Sequence, residues 1–289
     1  MRIRKAVFPA AGFGTRFLPA TKASPKEMLP LVDKPLIQHG VEEARASGIR
    51  DMIIVTGRGK NAIEDHFDVA FELEEILRKK GSAAQLAVVQ RVTDMADFFY
   101  VRQHMPLGLG HAVLRARDIV GEEPFAVILA DDVIDSKVPV LRQMIEVGSR
   151  FGADAVLAIQ RVPKEQVSRY GIIRGKRLAP GVHEVLDMVE KPRPAKAPSD
   201  LAVIGRYILP ASIFPVLERT GAGAGGEIQL TDAIKSLLEQ ERVIAYEFEG
   251  VRYDAGDKLG FLMANIAFAL KDREIGPGLR AFLAKEKTK

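Results

Sequence analysis

Four short runs in the first half of the chain, 3–9, 51–56, 85–91 and 124–130, are rich in Val, Ile and Phe and lack polar alternation. A strand with one wet face alternates, whereas a strand covered on both faces is continuously apolar. Between these runs the spacing predicts helices at 35–47, 61–80, 111–119 and 138–150. Such alternation builds a parallel, doubly wound sheet that receives ligands at the carboxyl ends of its strands. The second half changes character. Its strand candidates, 154–161, 171–174, 184–190 and 202–209, are separated by short turns, which predicts antiparallel additions, and helices follow at 211–218, 229–239 and 257–272. The expected class is α/β: a Rossmann-like doubly wound mixed sheet with antiparallel additions and C-terminal helices. No internal repeat or long linker divides the 289 residues; 192–199 and 221–226 are short enough to be loops within one folded unit, and 285–289 is expected to be a solvated tail.

The first strand leads straight into Pro9-Ala10-Ala11-Gly12-Phe13-Gly14-Thr15-Arg16, and Lys22 and Lys26 follow with no acid between. Small residues let backbone N–H groups approach an anion, and such a loop can form an anion-binding nest. Arg16 offers a planar fork for phosphate oxygens and Lys26 a compact point charge. Together they make a polyphosphate site. The dinucleotide fingerprint does not apply: it needs Gly at position 17, which is Phe17, and Pro19, Pro25 and Pro30 keep the segment irregular. The Walker pattern is absent; its nearest echo, Gly59-Lys60, is followed by Asn61.

Six apolar residues, Phe125 to Ala130, end abruptly in Asp131-Asp132 at the carboxyl edge of a central strand. Alone, an Asp past a strand is a turn residue or a cap. Two in succession, on a chain with a polyphosphate loop, favour Mg²⁺, which takes few protein carboxylates and leaves room for phosphate oxygens. Asp257 fits a helix cap, and Glu42-Glu43 and Glu72 to Glu75 fit solvated helix faces.

The combined motifs GFGTR and SPKEMLP, then RQHMPLGLGHA, LADD, RYG, VEKP, GRYIL, GEIQLTDA and RYDAGDK, resemble those of the sugar-nucleotide pyrophosphorylases across about residues 3–270. ATKASPKEMLP is similar to the branch that uses UTP and glucose 1-phosphate. The resemblance implies a single nucleotidyltransferase domain of the nucleotide-diphospho-sugar transferase type. Its nucleotide part would span about 1–135, its sugar part about 136–256 and a helical part about 257–289. It implies Mg²⁺-dependent formation of UDP-glucose, with Asp131 and Asp254 as metal ligands and Arg16, Lys26 and Lys191 as catalytic cations. The nucleotide would meet Ala10, Ala11, Gly12, Gly14, Thr15, Gln103 and Gly108. Ala10 and Ala11 stand where many relatives carry Gly. A Gln amide has both a donor and an acceptor, so Gln103 can match the N3–H and O4 of uracil. The sugar would meet Gly171, Val203 and Glu190, and Asp132, which points away from Asp131 in an extended chain; His111 is expected to be structural. Two alternatives stay open: the same chemistry with another base or sugar, thymidylyl transfer foremost, or a catalytically silent sugar-nucleotide sensor.

Composition limits the partners. A net charge of +4 suits small anions but is no nucleic-acid footprint, and the absence of Cys excludes disulfides and thiolate chemistry. The apolar stretch after Arg2, Arg4 and Lys5 breaks at Pro9, and no run approaches the length of a membrane span. The expectation is a cytoplasmic homo-oligomer, dimer or tetramer, with the apolar 261–270 helix as one possible interface, although core packing explains that helix equally simply.

Overall fold

The computed structural model describes residues 1–286. Beside a hairpin of two-residue strands, Pro30–Leu31 and Lys34–Pro35, its strands are β1 (Lys5–Pro9), β2 (Asp51–Thr56), β3 (Asp97–Arg102), β4 (Phe125–Ile128), β5 (Asp132–Asp135), β6 (Ala155–Arg161), β7 (Gly171–Ala179), β8 (Val182–Glu190), β9 (Leu201–Leu209), β10 (Val243–Glu247) and β11 (Val251–Asp254). Its helices are α1 (Leu36–Ala46), α2 (Asn61–Phe67), α3 (Phe71–Lys79), α4 (Ala83–Thr93), α5 (Leu109–Leu114), α6 (Arg117–Val120), α7 (Val140–Phe151), α8 (Ile213–Arg219), α9 (Leu230–Leu237), α10 (Lys258–Lys271) and α11 (Gly276–Glu286). One sheet runs through both halves of the chain in the order β3-β2-β1-β4-β9-β6-β10-β8-β7. Strands β3, β2, β1 and β4 are mutually parallel, while β9 lies antiparallel to both β4 and β6.

Successive strand residues face opposite sides of a sheet. In β1, Val7 joins a core with Val113, Phe214 and Ile234 from α5, α8 and α9. Its neighbours Ala6 and Phe8 join a second core with Val41 and Leu141 from α1 and α7. This two-sided burial explains the lack of polar alternation, and it makes the fold the doubly wound α/β class that the sequence predicts.

One strand assignment is wrong. Residues 85–91 lie in α4, and the edge strand is β3, DFFYVR, one element later. A short apolar run does not by itself separate strand from helix, and an edge strand that keeps Asp97 and Arg102 exposed does not look like a buried one. The helix predicted over 61–80 is two, broken at 68–70. The expected tail at 285–289 is partly helical: Lys285 and Glu286 belong to α11, and 287–289 lie outside the described residues.

Two acidic runs are corrected in part: Glu72 is exposed and Glu75 pairs with Arg78 and Lys79 along its own helix, as a solvated face should, but Glu43 and Glu74 do not fit that reading. Glu43 takes a bidentate ion pair from the buried Arg206, and Glu42 takes Lys34. Glu74 is buried and accepts from Gln90. Arg206 and Gln90 lie on other elements, so periodicity alone does not find them, whereas Gln38 and Arg78 meet Glu42 and Glu74 at helical i,i+4 spacing. No helix among the described residues is long and apolar enough to cross a membrane.

Candidate active site

The loop after β1 is built to leave its amides open. Ala10 donates its N–H to Val55 O at 2.9 Å, which continues the sheet and removes that amide from the expected phosphate contacts. The N–H groups of 11–14 donate to no acceptor among the described residues. Gly14 has φ 65°, and a Cβ there would sit 3.0 Å from Lys26 Cβ. A glycine is therefore required for the loop to close over the 3₁₀ turn at Lys26–Met28. That turn is anchored by a buried ion pair, Lys60 Nζ to Glu27 Oε2 at 2.7 Å. Arg16 and Thr15 lie in an exposed 3₁₀ turn of the same loop.

The β5–β11 ribbon brings the two expected metal ligands together. Asp132 pairs with Asp254 in its register, and Ala255 donates its N–H to Asp131 O at 2.8 Å. A Cβ on Gly256 would lie 3.0 Å from Asp131 Oδ2 and 3.0 Å from Asp254 Oδ1, with Arg16 Nη1 3.4 Å away. The two carboxylates therefore flank one small space kept open by a missing side chain. Lys26 Nζ donates to Asp131 Oδ2 at 2.6 Å, and Arg16 Nη1 donates to Gly256 O at 3.2 Å. Burial favours neutral Asp131, but the Lys26 ammonium and its hydrogen bond, with help from Arg16, hold the carboxyl below its usual range. Burial likewise opposes the charge on Lys26, yet Asp131 and Glu27 raise its pKa above that of an ordinary lysine. Among the described residues no group of three or more His, Cys, Asp and Glu side chains converges on a metal position. Two carboxylates with space for phosphate oxygens match the habits of Mg²⁺ rather than of a structural Zn²⁺.

Asp132 is a correction. One of its oxygens forms an ion pair with Arg252, and Oδ2 accepts the Gly205 N–H at 2.8 Å. It is buried, and with one oxygen on Arg252 and the other on the Gly205 N–H it braces the scaffold, a role the sequence reading did not give it.

A second cluster gathers at the ends of β7 and β8. Glu190 pairs with Gly171 across the two strands. Its Oε2 accepts from Thr231 Oγ1 at 2.6 Å, and Oε1 lies 3.3 Å from Lys191 Nζ. A Cβ on Gly171 would sit 2.9 Å from Thr231 Oγ1 and 3.3 Å from Glu190 Oε2, so this carboxylate too faces a space that only glycine leaves open. Lys191 has φ 45°, uncommon for a residue with a side chain, and its N–H is held by Tyr170 O at 2.9 Å. Val203 belongs to β9, whose pairing with β6 shifts register between Val203 and Tyr207.

The sequence reading missed the residues that join the clusters. Arg169 donates to Asp254 Oδ2 at 3.0 Å and to Asp257 Oδ2 at 2.9 Å, and the Tyr170 hydroxyl accepts from Arg252 Nη1 at 3.2 Å. Arg169-Tyr170-Gly171 thus touches both the carboxylate pair and the Glu190 side. RYG and RYDAGDK were visible as motifs, but ion pairs spanning 85 residues of chain were not. Asp257 also caps α10 through Gly260, as expected.

The remaining loop, 103–111, is braced by the segment before α9. Ile228 donates to Leu107 O at 2.8 Å, and Gly110 donates to Ile228 O at 2.9 Å. Gly108 has φ 104°, and a Cβ there would come within 2.7 Å of Glu227 Cβ. Gln103 is buried, its amide turned toward Gly108 O and His111.

This geometry, an open-amide loop beside paired carboxylates, is found where a family model described as nucleotidyl transferase matches residues 5–269. The chain belongs to the nucleotidyl transferase family. A UTP–glucose-1-phosphate uridylyltransferase of Staphylococcus epidermidis is 52% identical over 282 residues, 98% of each chain. One of Bacillus subtilis is 54% identical, over 98% of this chain and 95% of its own. Among solved structures, a UDP-glucose pyrophosphorylase complexed with UDP-glucose superposes with a TM-score of 0.85 at 48% identity, covering 94% of this chain and 100% of that one. A UTP-bound UGPase from Acinetobacter baumannii gives 0.90 at 41% identity, over 98% and 99%. The nucleotidyl transferase fold is therefore shared along nearly the whole chain.

Proposed function

We propose that this nucleotidyl transferase is a UTP–glucose-1-phosphate uridylyltransferase, joining UTP to α-D-glucose 1-phosphate and releasing pyrophosphate and UDP-glucose. The observation that carries the reading is the pair Asp131 and Asp254 facing each other across Gly256, with Lys26 and Arg16 beside them. Relatives named for this activity match over 98% of the chain. Asp131 and Asp254 would hold Mg²⁺, which neutralises triphosphate charge when bound. Arg16, Lys26 and the amides of Ala11, Gly12 and Gly14 position the triphosphate. Lys191 neutralises the sugar phosphate, and Glu190 accepts from sugar hydroxyls near Gly171 and Val203.

A phosphate oxygen of the sugar phosphate attacks the α-phosphorus as the bond to the bridging oxygen of pyrophosphate breaks. The second pKa of a phosphate monoester is about 6, so the nucleophile is already ionised and needs no base. Catalysis is then positioning and charge stabilisation, which the cations and carboxylates supply. The compartment that fits is the cytoplasm, where nucleoside triphosphates are held. The exposed Leu259, Leu262, Met263 and Ile266 of α10 support a homo-oligomer, since a second copy would cover them.

Continuous pyrophosphate release across UTP, dTTP, CTP, GTP and ATP, each with glucose or galactose 1-phosphate, tests the reading. UTP with glucose 1-phosphate should be fastest. A faster reaction with dTTP would make the protein a thymidylyltransferase, and no turnover with any pair would make it a binding protein. On the sugar side, Glu190→Gln keeps shape but replaces a charged acceptor. Hydrogen bonds to charged groups contribute about 1.5–3 kcal/mol, so kcat/KM for glucose 1-phosphate should fall by about 10- to 100-fold. UTP affinity measured without sugar should hold; an equal loss there would move Glu190 to the nucleotide half.

A further inference from the structure

We propose that His111 is a positioning residue for base specificity: it fixes which end of the Gln103 amide is presented to the base, without touching the base itself. The inference rests on the uridylyl reading above. A glutamine amide has nearly the same shape when rotated by 180°, but rotation exchanges its acceptor with its donor. A pocket that reads a pyrimidine with a freely rotating Gln would therefore serve uracil in one orientation and cytosine in the other. At the N3 position uracil carries a hydrogen and cytosine a lone pair, so discrimination requires the amide to be pinned.

The structure pins it on the protein side. Gln103 Nε2 lies 2.8 Å from His111 Nδ1 and 3.2 Å from Gly108 O. Because Gly108 O can only accept, the atom beside it is the amide nitrogen; His111 Nδ1 then accepts the second amide hydrogen when the ring carries its proton on Nε2, and Oε1 accepts no hydrogen bond among the described residues. The two restraints are unequal. Gly108 O already accepts the Ala112 N–H at 3.1 Å, so the Gln103 contact is its second and longer one. His111 Nδ1 makes the shorter contact. It holds the amide only while that nitrogen carries no proton. Burial and the nearby Arg115 charge both lower the His111 pKa, which favours the neutral ring, and the amide hydrogen at Nδ1 favours the tautomer with its proton on Nε2.

With Nε2 occupied, Gln103 does not also donate to O4, as the amide chemistry alone suggested; it offers a pure acceptor, the complement of the uracil N3–H. The Gly108 N–H, which donates to no acceptor among the described residues, is the nearby donor that suits O4. Cytosine reverses both groups and meets an acceptor facing a lone pair. Thymine has the same edge as uracil, so this device separates UTP from CTP and leaves dTTP to other contacts.

The test compares kcat/KM for UTP and for CTP, with glucose 1-phosphate saturating, in the full-length protein. His111→Phe keeps a ring but has no acceptor, His111→Met removes ring and acceptor, and His111→Asn restores an acceptor oxygen near the place of Nδ1. The wild type should prefer UTP. In the Phe and Met variants the UTP:CTP ratio should fall by about 2- to 10-fold, the size of one net hydrogen bond. In the Asn variant most of the ratio should return. A merely structural role would scale both nucleotides together, so an unchanged ratio in a folded Phe or Met variant overturns the proposal. Loss of folded protein in both would make His111 a packing residue and overturn it equally. A wild type that shows no preference for UTP would instead overturn the uridylyl reading, a result visible before any variant is made.

Discussion

Asp131→Asn lowers kcat by about 10²- to 10³-fold while far-ultraviolet circular dichroism stays that of the wild type, a loss typical of removing one preorganised charge contact at a transferring phosphoryl group. Asn has the shape of Asp, so the β4–β5 turn and the hydrogen bond from Ala255 to the residue 131 carbonyl remain. Only the charge goes. Asp131 faces Asp254 across the open side of Gly256, and Lys26 donates to its Oδ2 at 2.6 Å. The missing charge would weaken divalent-cation binding and release Lys26 from its counter-ion. Asp254→Asn should behave alike, although Arg169 and Arg252, both within ion-pair distance of Asp254, then lose a partner too. Manganese binding followed by electron paramagnetic resonance gives a readout independent of turnover: both variants should bind more weakly. Full activity of either variant, or of the wild type in chelator-treated buffer, would reduce the carboxylate pair to scaffold.

How much of this was legible follows from the range of each interaction. The runs at 3–9, 51–56 and 124–130 announced a two-sided core because every residue in such a strand must avoid water, and that constraint is local. The carboxylates at Asp131 stood out for the same reason, as charges directly after a buried strand. The misplaced strand at 85–91 shows the limit: α4 has no fully buried residue, so its apolar side chains marked a partly covered helix rather than a sheet. The role of Asp132 was illegible because its partners, Arg252 and Gly205, are more than seventy residues away in the chain. The same holds for Arg169, and the Lys60–Glu27 pair that steadies Lys26 also joins separate elements, 33 residues apart. Local burial can be inferred from pattern, whereas the choice of ionic partner is made by the tertiary fold. Gln103 lies between these cases: its side-chain chemistry was evident, and the orientation of its amide was not.

Arg206→Met unfolds the protein more easily than any substitution at the active-site surface, by about 3–5 kcal/mol, because it strands a buried partner charge. Arg206 is 2% exposed. Its Nε and Nη2 meet both oxygens of Glu43, its Nη1 donates to Leu129 O at 3.1 Å and Gly205 O at 3.0 Å, and Nη2 donates to Asp132 O at 2.9 Å. All five guanidinium hydrogens are thus directed at acceptors. The arginine ties α1 to β9 and grips the turn from Leu129 to Asp132, the turn that carries Asp131. Glu43 also accepts the Leu141 N–H at 3.2 Å, so α7 joins the same network. Methionine fills much of the volume but leaves Glu43 with one weak donor in a nearly dry site. For a chain of this size each kcal/mol moves the melting midpoint by roughly 2–4 °C, so the midpoint should drop by about 10 °C. Removing both charges, as Arg206→Met with Glu43→Leu, should recover part of that loss, since no buried charge then remains uncompensated. The double variant should still turn over slowly, because the Asp131 turn loses its clamp whether or not Glu43 is present. A single Arg206→Met variant with the wild-type midpoint would show that the guanidinium fills space and no more.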